Sequence, residues 1–395
     1  MIHPERWGPL QARYEKQGPW RMLALDGGGI RGLLTLGILE VVEKFIAGRT
    51  GKALHEYFDY IAGTSTGAII AAGLASGLSV SRLIKFYQDN GESMFESSRL
   101  MDRVKSFYTA DPLKYKLQEV FGENTTLEPQ NLKCLLLVVT KNVTTDSAWP
   151  ISSNPDAVYN DPQRLDCNLK IPLWQLVRAS TAAPIYFPPE ILKWDKNDPK
   201  KTFVFVDGGV TPHNNPAFLL YRMATEPAYR LNWGAGERNL FLLSVGTGAA
   251  ESQGVTAAAP NKNLISNLAG LPGDLMYGIQ VDQDINSRTV GRCTFGARLD
   301  SEILDLVPRE STDAVSTEDR NKASVIPLSQ DLGRKFLYAR YNADLSMGGL
   351  EKMGITSVIP NQIQRMDAVE NIPDLLRIGR AAARIVDPAH FGPFI

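Results

Sequence analysis

Residues 63–67 read Gly-Thr-Ser-Thr-Gly and place Ser65 in a setting suited to a nucleophile. The motif fits G-x-S-x-G, in which a sharp strand-to-helix turn raises a serine hydroxyl above the edge of a sheet. Glycine is needed at Gly63 and Gly67 because a side chain would crowd the turn, and because glycine tolerates dihedral angles that other residues avoid. The start of the following helix would also bring a partial positive charge close to Ser65.

A run of three glycines lies in the sequence Asp-Gly-Gly-Gly-Ile-Arg-Gly at positions 26–32. It matches the dinucleotide pattern G-x-G-x-x-G, which expects an acidic residue at the end of the next strand. That strand instead ends in Gly63, Thr64 and Ser65, with Asp59 inside it. Consecutive glycines before a helix also offer unhindered backbone N–H groups to the oxyanion of an acyl-transfer intermediate. The run therefore favours oxyanion binding, and a non-catalytic dinucleotide-binding module is the alternative of another class.

Ser65 needs a base, and histidine is the usual one. The chain has four histidines: His3, His55, His213 and His390. His213 follows Asp207 by six residues in a loop that contains Pro212, which makes an Asp–His–Ser relay awkward. The sequence thus points to Asp207 acting directly on Ser65. An aspartate with a pKa of about 3.9 is a weak base, so Asp207 must be partly desolvated and the oxyanion strongly held.

Alternating strands and helices must position these groups. Apolar runs predict strands at 22–25, 58–64, 135–140, 203–206 and 240–245, with helical patterns between them. Asp26, Ser65 and Asp207 each lie at or just past the C-terminal end of such a strand. Ligands bind at that edge of open α/β sheets. The alternation predicts an α/β fold with a mainly parallel sheet and helices on both faces.

The composition is that of an ordinary globular protein of 395 residues, with 44% hydrophobic and 22% charged residues. A net charge of −1 gives no electrostatic case for nucleic acid or an anionic membrane as a bulk partner. Cys134, Cys167 and Cys293 form neither a disulfide framework nor a metal-ligand spacing, which suits a reducing cytosol. We expect no metal and no other cofactor.

No apolar run approaches the roughly 20 residues that span a bilayer, and the first seven residues lack the apolar core of a signal peptide. We therefore expect a soluble, cytoplasmic protein whose contact with the inner membrane is peripheral. Monomer and homo-oligomer both stay open.

Four blocks together resemble the patatin-like phospholipases: Asp-Gly-Gly-Gly-Ile-Arg-Gly at 26–32, Gly-Thr-Ser-Thr-Gly at 63–67, Ala-Ser-Thr-Ala-Ala-Pro at 179–184 and Asp-Gly-Gly at 207–209. The four blocks occur along the chain in the same order as in members of that family. The resemblance implies a three-layer α/β/α fold and a Ser–Asp dyad without histidine that hydrolyses acyl esters of phospholipids or galactolipids. Carried over by position, Ser65 is the nucleophile and Asp207 is the base.

The same resemblance assigns the oxyanion hole to the backbone of the glycine loop. Its members are Gly27, Gly28, Gly29, Ile30 and Arg31. Arg31 matches a basic position of the family, where positioning of the loop, contact with a lipid phosphate and a purely structural role are all open. The resemblance is clear from residues 22 to 248 and looser beyond them.

The chain divides into three predicted parts: an N-terminal surface arm at 1–20, a patatin-like catalytic domain at 21–310, and a C-terminal helical region at 311–395 packed on the same core. Within them the sequence predicts a connector at 249–262, helices at 274–290, 328–341 and 361–385, and an edge strand at 292–299. Asn214 and Asn215, which precede Pro216, are interpreted as caps of the next helix rather than substrate contacts.

The preferred function is a phospholipase A-type lipid acyl hydrolase acting on phospholipid. Some bacterial proteins that this chain resembles are switched on by a cyclic nucleotide and degrade the cell's own membrane in antiviral defence. A long loop at 142–169 and the C-terminal third leave room for such an activator site. The same catalytic core in a cyclic-nucleotide-activated effector is therefore the alternative.

Overall fold

The computed structural model describes residues 1–95, 112–184, 186–195, 198–250, 264–296, 309–310, 325–326 and 333–395. Its strands are β1 (Trp20–Leu25), β2 (Tyr60–Thr64), β3 (Leu135–Asn142), β4 (Ser147–Ser152), β5 (Glu190–Lys193), β6 (Thr202–Asp207), β7 (Leu240–Val245), β8 (Arg292–Phe295), β9 (Arg309–Glu310), β10 (Val325–Ile326) and β11 (Leu337–Tyr341). The predicted connector lies outside the described residues from position 251 onward.

The α-helices of the described residues alternate with these strands. They are α1 (Gln11–Tyr14), α2 (Gly32–Thr50), α3 (Leu54–Tyr57), α4 (Thr66–Ala75), α5 (Val80–Phe95), α6 (Pro112–Phe121), α7 (Leu173–Ser180), α8 (Ala217–Thr225), α9 (Leu264–Val290), α10 (Met347–Lys352), α11 (Pro360–Ile363) and α12 (Ile372–Ala382). No helix in the described ranges is both long and apolar enough to cross a membrane.

Within the described residues, nine strands form one mixed sheet in the order β5-β6-β3-β2-β1-β7-β11-β8, with β4 also paired to β3. The run from β3 through β2, β1, β7 and β11 to β8 is parallel throughout. Strands β4, β5 and β6 pair in the antiparallel direction. The predicted loop at 142–169 is therefore wrong for Ser147–Ser152, which forms β4 as a hairpin with β3. The predicted α/β fold with a mainly parallel sheet is confirmed.

Alternate residues of β1 enter different hydrophobic clusters, because successive side chains of a strand point to opposite faces. Leu23 and Leu25 pack with residues of α2, α4, α5 and α12. Met22 and Ala24 pack with residues of α8 and with the N-terminal segment. The sheet is thus covered on both faces, which makes three layers.

The N-terminal segment contributes to the second of these clusters. Trp7, Leu10 and Tyr14 are buried there. Asp59 is 2% exposed and accepts hydrogen bonds from Lys16 at 3.0 Å and from the backbone N–H of Arg21 at 2.9 Å. The predicted surface position of residues 1–20 is therefore wrong for Trp7, Leu10 and Tyr14.

The C-terminal part supplies a strand as well as helices. The predicted helix at 328–341 is wrong for Leu337–Tyr341, which forms β11 between β7 and β8. All five residues are buried, so the run lacks the polar face of a surface helix, and its two tyrosines favour a strand. The predicted helix at 274–290 lies within α9. The predicted edge strand at 292–299 forms β8 at Arg292–Phe295, and its residues 297–299 lie outside the described residues, as do 328–332 of the predicted helix. The predicted helix at 361–385 is divided between α11 and α12. The three-part division of the chain stays a prediction.

A buried ion pair ties β11 to the end of β1. Arg340 Nη2 donates to Asp26 Oδ2 at 2.6 Å and Arg340 Nη1 donates to Ser244 Oγ at 2.5 Å, with both charged side chains at most 1% exposed. A buried ion pair is stabilised only when its polar atoms are well paired. Asp26 therefore anchors the start of the glycine loop rather than facing a ligand.

Candidate active site

Ser65 and Asp207 come together because β2 and β6 both pair with β3. Thr64, the last residue of β2, lies opposite Val139 in the parallel register. Asp207, the last residue of β6, lies opposite the adjacent Thr140 in the antiparallel register. The C-terminal ends of the two strands thus meet at neighbouring positions of β3, and Ser65 follows directly after Thr64.

The turn at Ser65 has the geometry of a nucleophile elbow. Ser65 has φ 55° and ψ −124°, a conformation that only glycine adopts easily. A Cβ at Gly63 would lie 2.1 Å from the carbonyl oxygen of Gly67, and one at Gly67 would lie 2.3 Å from that of Leu25. The two glycines are therefore required by the close approach of backbone segments.

The side chain of Ser65 donates a hydrogen bond straight to the aspartate. Ser65 Oγ lies 2.6 Å from Asp207 Oδ2. The other carboxylate oxygen, Oδ1, accepts from the Gly209 N–H at 2.6 Å, and the Asp207 N–H donates to the Ala182 carbonyl at 2.9 Å. These contacts hold the carboxylate at one orientation toward the hydroxyl.

Burial gives Asp207 the character of a stronger base than an ordinary aspartate. Asp207 is 5% exposed, and desolvation raises the pKa of its carboxyl group to about 6. The hydrogen bonds from Ser65 and Gly209, and the positive charge of the buried Arg178, oppose that rise. A base with a pKa close to the working pH is the more effective one in general base catalysis.

Ser180 and Arg178 are site residues to which sequence reasoning gave no role. Ser180 Oγ accepts from the Ser65 N–H at 2.9 Å and donates to the Val139 carbonyl at 2.7 Å. Ser180 thereby links the elbow to β3. Both residues lie in or next to the block at 179–184 that supported the family resemblance, which is the signal that could have identified them.

The glycine loop lies beside Ser65 and keeps two backbone donors available. A Cβ at Gly27 would lie 3.2 Å from Ser65 Cβ. The Gly27 N–H donates to the Asn214 carbonyl at 3.0 Å, the Ile30 N–H to the Met366 carbonyl at 2.9 Å, and the Arg31 N–H to the Gly28 carbonyl at 3.3 Å. Within the part of the chain that the structure describes, the N–H groups of Gly28 and Gly29 have no such acceptor.

The side chain of Arg31 links the glycine loop to the segment that follows β7. Its Nη1 donates to the Gly248 carbonyl at 3.3 Å and its Nε lies 3.5 Å from the Gly28 carbonyl. Burial lowers the pKa of Arg31 to about 10, so the group stays charged at neutral pH. Of the roles left open by the sequence, these contacts favour positioning of the glycine loop.

None of the four histidines, all of which lie in the described ranges, is bonded to Ser65 or Asp207. The backbone carbonyl of His213 accepts from Thr64 Oγ1 at 2.7 Å, and desolvation lowers the pKa of the His213 side chain. His390 Nδ1 bonds to the Tyr341 hydroxyl at 2.7 Å. The backbone of His213 is thus bonded to the elbow, whereas its buried Nδ1 has no hydrogen-bond partner among the described residues.

Replacing His213 by Gln is therefore expected to leave the rate of ester hydrolysis within about threefold of wild type, since loss of a true general base costs about 10²- to 10⁴-fold. Steady-state hydrolysis of a soluble ester, with the melting temperature as a control for folding, measures this. A folded but inactive His213→Gln protein would show that a triad containing His213, rather than the Ser–Asp pair, carries out the reaction.

The dinucleotide alternative lacks its acidic residue. Asp59 precedes β2 and so lies at the N-terminal end of that strand, opposite to the edge that carries Ser65. Its carboxylate is already bonded to Lys16 and to the Arg21 N–H. Strand β2 ends in Gly63 and Thr64, so it has no acidic residue of its own at its C-terminal end to hold a ribose.

Comparisons with known proteins identify the family to which the chain is similar. The family model described as patatin-like phospholipase matches residues 23–221. The cGAMP-activated phospholipase of Escherichia coli strain TW11681 is 28% identical, over 58% of this chain and 62% of that protein. Patatin-T5 of Solanum tuberosum is 29% identical, over 58% of this chain and 60% of that protein. The intracellular phospholipase A2 of Caenorhabditis elegans is 29% identical, over 66% of this chain and 23% of that protein.

The chain thus spans less than two thirds of the length of each of these relatives. Among solved structures, human GIVD cytosolic phospholipase A2 superposes with a TM-score of 0.39 at 11% identity, over 97% of this chain and 62% of that chain. VipD from Legionella pneumophila superposes with a TM-score of 0.34 at 12% identity, over 90% of this chain and 66% of that chain.

Proposed function

The chain belongs to the patatin-like phospholipase family, and from this premise we propose that it is a lipid acyl hydrolase of the phospholipase A type. Ser65 is the proposed nucleophile and Asp207 the proposed base. The proposal rests above all on the 2.6 Å hydrogen bond from Ser65 Oγ to the buried Asp207 carboxylate, with no histidine between them.

Acylation begins with the ionised form of Asp207. Its Oδ2 accepts the proton of Ser65 as Oγ attacks the ester carbonyl carbon. The negative charge that develops on the carbonyl oxygen is received by the free N–H groups of Gly28 and Gly29, as in other oxyanion holes. The intermediate then collapses, Asp207 gives its proton to the leaving alcohol, and the acyl group stays on Ser65.

Deacylation repeats these steps with water. Asp207 accepts a proton from the water molecule, whose oxygen attacks the acyl carbonyl carbon. The second oxyanion collapses, the C–O bond to Ser65 breaks, and Asp207 returns the proton to Ser65 Oγ. The products are a free fatty acid and the enzyme in its starting protonation state.

Two helices assist this chemistry through their N-terminal ends. Helix α4 begins at Thr66, directly after Ser65, and α2 begins at Gly32, at the end of the glycine loop. The partial positive charge at a helix N-terminus stabilises negative charge nearby. Both helices therefore favour the oxyanion over the neutral ester.

Phospholipid vesicles and a fluorophosphonate probe test the proposed function. We expect fatty acid release from the vesicles, and we expect mass spectrometry of the labelled protein to find the phosphonate on the peptide that contains Ser65. Labelling of a different serine, or hydrolysis by a protein whose Ser65 is unlabelled, would contradict the assignment.

We further propose peripheral contact with a membrane surface, because the substrate lies there. Val210, three residues after Asp207, has half of its side chain exposed. An apolar side chain beside the site can enter the acyl region of a lipid surface.

A cyclic nucleotide is the proposed activator, and the similarity to the cGAMP-activated phospholipase of Escherichia coli supports it. We expect vesicle hydrolysis to rise when a cyclic dinucleotide is added. A rate of hydrolysis that is the same with and without each of a panel of cyclic dinucleotides would show that this class of ligand does not activate the enzyme.

A further inference from the structure

Asn214 is a buried side chain with unused hydrogen-bonding capacity beside the site. The residue is 0% exposed, and neither Oδ1 nor Nδ2 has a hydrogen-bond partner among the described residues. Its backbone carbonyl accepts from the Gly27 N–H at 3.0 Å. A buried amide without partners destabilises a folded protein, so this one calls for an explanation.

A capping role explains the neighbouring asparagine but not this one. Asn215 Oδ1 accepts from the Ala217 N–H at 3.0 Å, at the start of α8. The capping interpretation therefore fits Asn215 Oδ1, while Asn215 Nδ2 has no hydrogen-bond partner among the described residues. The side chain of Asn214 makes no contact of that kind within the described residues.

The amide of Asn214 lies between the two halves of the site. A Cβ at Gly27 would lie 2.3 Å from Asn214 Oδ1 and 3.2 Å from Ser65 Cβ. A Cβ at Gly209 would lie 3.0 Å from Asn214 Oδ1 and also 3.0 Å from Asp207 Oδ1. Asn214 Oδ1 and Asp207 Oδ1 thus lie at the same distance from one point beside Gly209, so the amide is a near neighbour of the carboxylate as well as of the serine.

Charge decides which end of the amide should face Asp207. With Asn214 Oδ1 on that side, two oxygen atoms flank Gly209 and repel each other when the carboxylate is ionised. A half-turn of the amide exchanges Oδ1 and Nδ2 and presents an N–H donor to the carboxylate. Hydrogen bonds to a charged acceptor are stronger than those between neutral groups.

We propose that Asn214 is a positioning residue for the proton transfer between Ser65 and Asp207. Its amide donates to Oδ1 of the charged carboxylate, and its bulk keeps the glycine loop at a constant distance from the turn that carries Asp207. The inference rests on the proposed function. Asn214 acts through Asp207 and the loop, and it touches no substrate atom.

The surroundings of Asp207 define the pH dependence. Arg178, on α7, is the charged group that faces it, and Ser65 and the Gly209 N–H are its neutral donors. A donor from Asn214 stabilises the ionised carboxylate in the same direction as these groups. Removing that donor raises the pKa of Asp207 and moves the acid limb of the activity profile to higher pH.

Asn214→Leu tests the proposal, since leucine has the same branching at Cγ and no polar atoms. We expect kcat to fall about 10- to 100-fold, as for a lost aid to general base catalysis, with KM within about twofold. The acid limb of kcat/KM should move to higher pH. The melting temperature should stay the same or rise, because the unpaired amide is gone. Asn214→Ala, which needs no extra room, serves if the leucine variant does not fold.

Asn215→Ala is the matched control. Losing the acceptor of the Ala217 N–H should lower the melting temperature and leave the acid limb where it is. Asn214 variants with wild-type kcat would overturn the proposal. So would a loss of kcat that comes with a lower melting temperature and an unmoved acid limb. Ser65→Ala, assayed in parallel, separates the two ideas: hydrolysis equal to wild type in that variant would overturn the proposed function itself.

Discussion

Ser65→Ala is expected to abolish fatty acid release while the protein stays folded. Without Oγ no acyl-enzyme can form, and loss of a serine nucleophile in hydrolases costs about 10⁶-fold in kcat. The Ser65 N–H still donates to Ser180 in this variant, because that contact uses the backbone. Fatty acid release from phospholipid vesicles, with circular dichroism as a control for folding, measures the effect.

Ser65→Gly is the matched variant, and it should be inactive but more stable than Ser65→Ala. The backbone at φ 55° and ψ −124° costs of the order of 1–3 kcal/mol for a residue with a side chain, and glycine removes that cost. Thermal unfolding compares the two variants. Residual hydrolysis in both, at a rate near that of wild type, would remove Ser65 from the mechanism.

Asp207→Asn is expected to lower kcat by about 10²- to 10⁴-fold, since the amide has nearly the same shape but cannot accept the serine proton. In the wild-type protein kcat/KM should fall below about pH 6, where the carboxylate becomes protonated. The pH profile of a soluble ester substrate shows both effects. An Asp207→Asn protein with wild-type activity would rule out Asp207 as the general base.

The same substitution should stabilise the fold at neutral pH. Burial raises the pKa of Asp207 from 3.8 to about 6, so the unfolded chain loses this proton more easily than the folded one. The contribution of Asp207 to stability is therefore fully present below about pH 4 and is lost as the pH rises through 6. Each pKa unit corresponds to about 1.4 kcal/mol, which makes the expected gain of Asp207→Asn about 3 kcal/mol at pH 8.

Denaturant unfolding of the wild type and Asp207→Asn at pH 4 and pH 8 measures this difference. The gain should be present at pH 8 and should shrink toward pH 4. Ser65→Ala is the control for loss of the hydrogen bond to the carboxylate. An Asp207→Asn protein that is less stable than wild type at pH 8 would show that the carboxylate is better solvated than its burial indicates.

The parts of the fold with a strong local signal could be predicted. Strands β1, β2, β3, β6 and β7 and the elbow were recognised because apolar runs and glycine spacing act over a few residues, and local backbone sterics enforce them. Strands β4 and β5 were not predicted. The strand at Leu337–Tyr341 was missed, since a short run that is buried on both faces has no helical or strand period to read. The buried position of Trp7 and Tyr14 was missed because much of the cluster that they join, such as Leu135 and Trp233, lies far along the chain.

The structure was also needed to identify which backbone N–H groups of the glycine loop can bind the oxyanion. All five residues from Gly27 to Arg31 were candidates in the sequence. Only after folding are the N–H groups of Gly27 and Ile30 taken by the carbonyls of Asn214 and Met366. Those acceptors lie far along the chain, so no local pattern could have excluded the two donors.

By itself the sequence determined which groups this protein can use: a serine in a turn that only flanking glycines permit, a glycine loop before a helix, and an aspartate at a strand end. The sequence also pointed to Asp207 as the base for Ser65, but only the tertiary structure decided how the two side chains come together. Strand β6 runs antiparallel along β3 and ends one register position from β2, against the parallel direction of the central strands. Strand direction is set by pairing and burial across more than a hundred residues, and no short stretch of the chain encodes it.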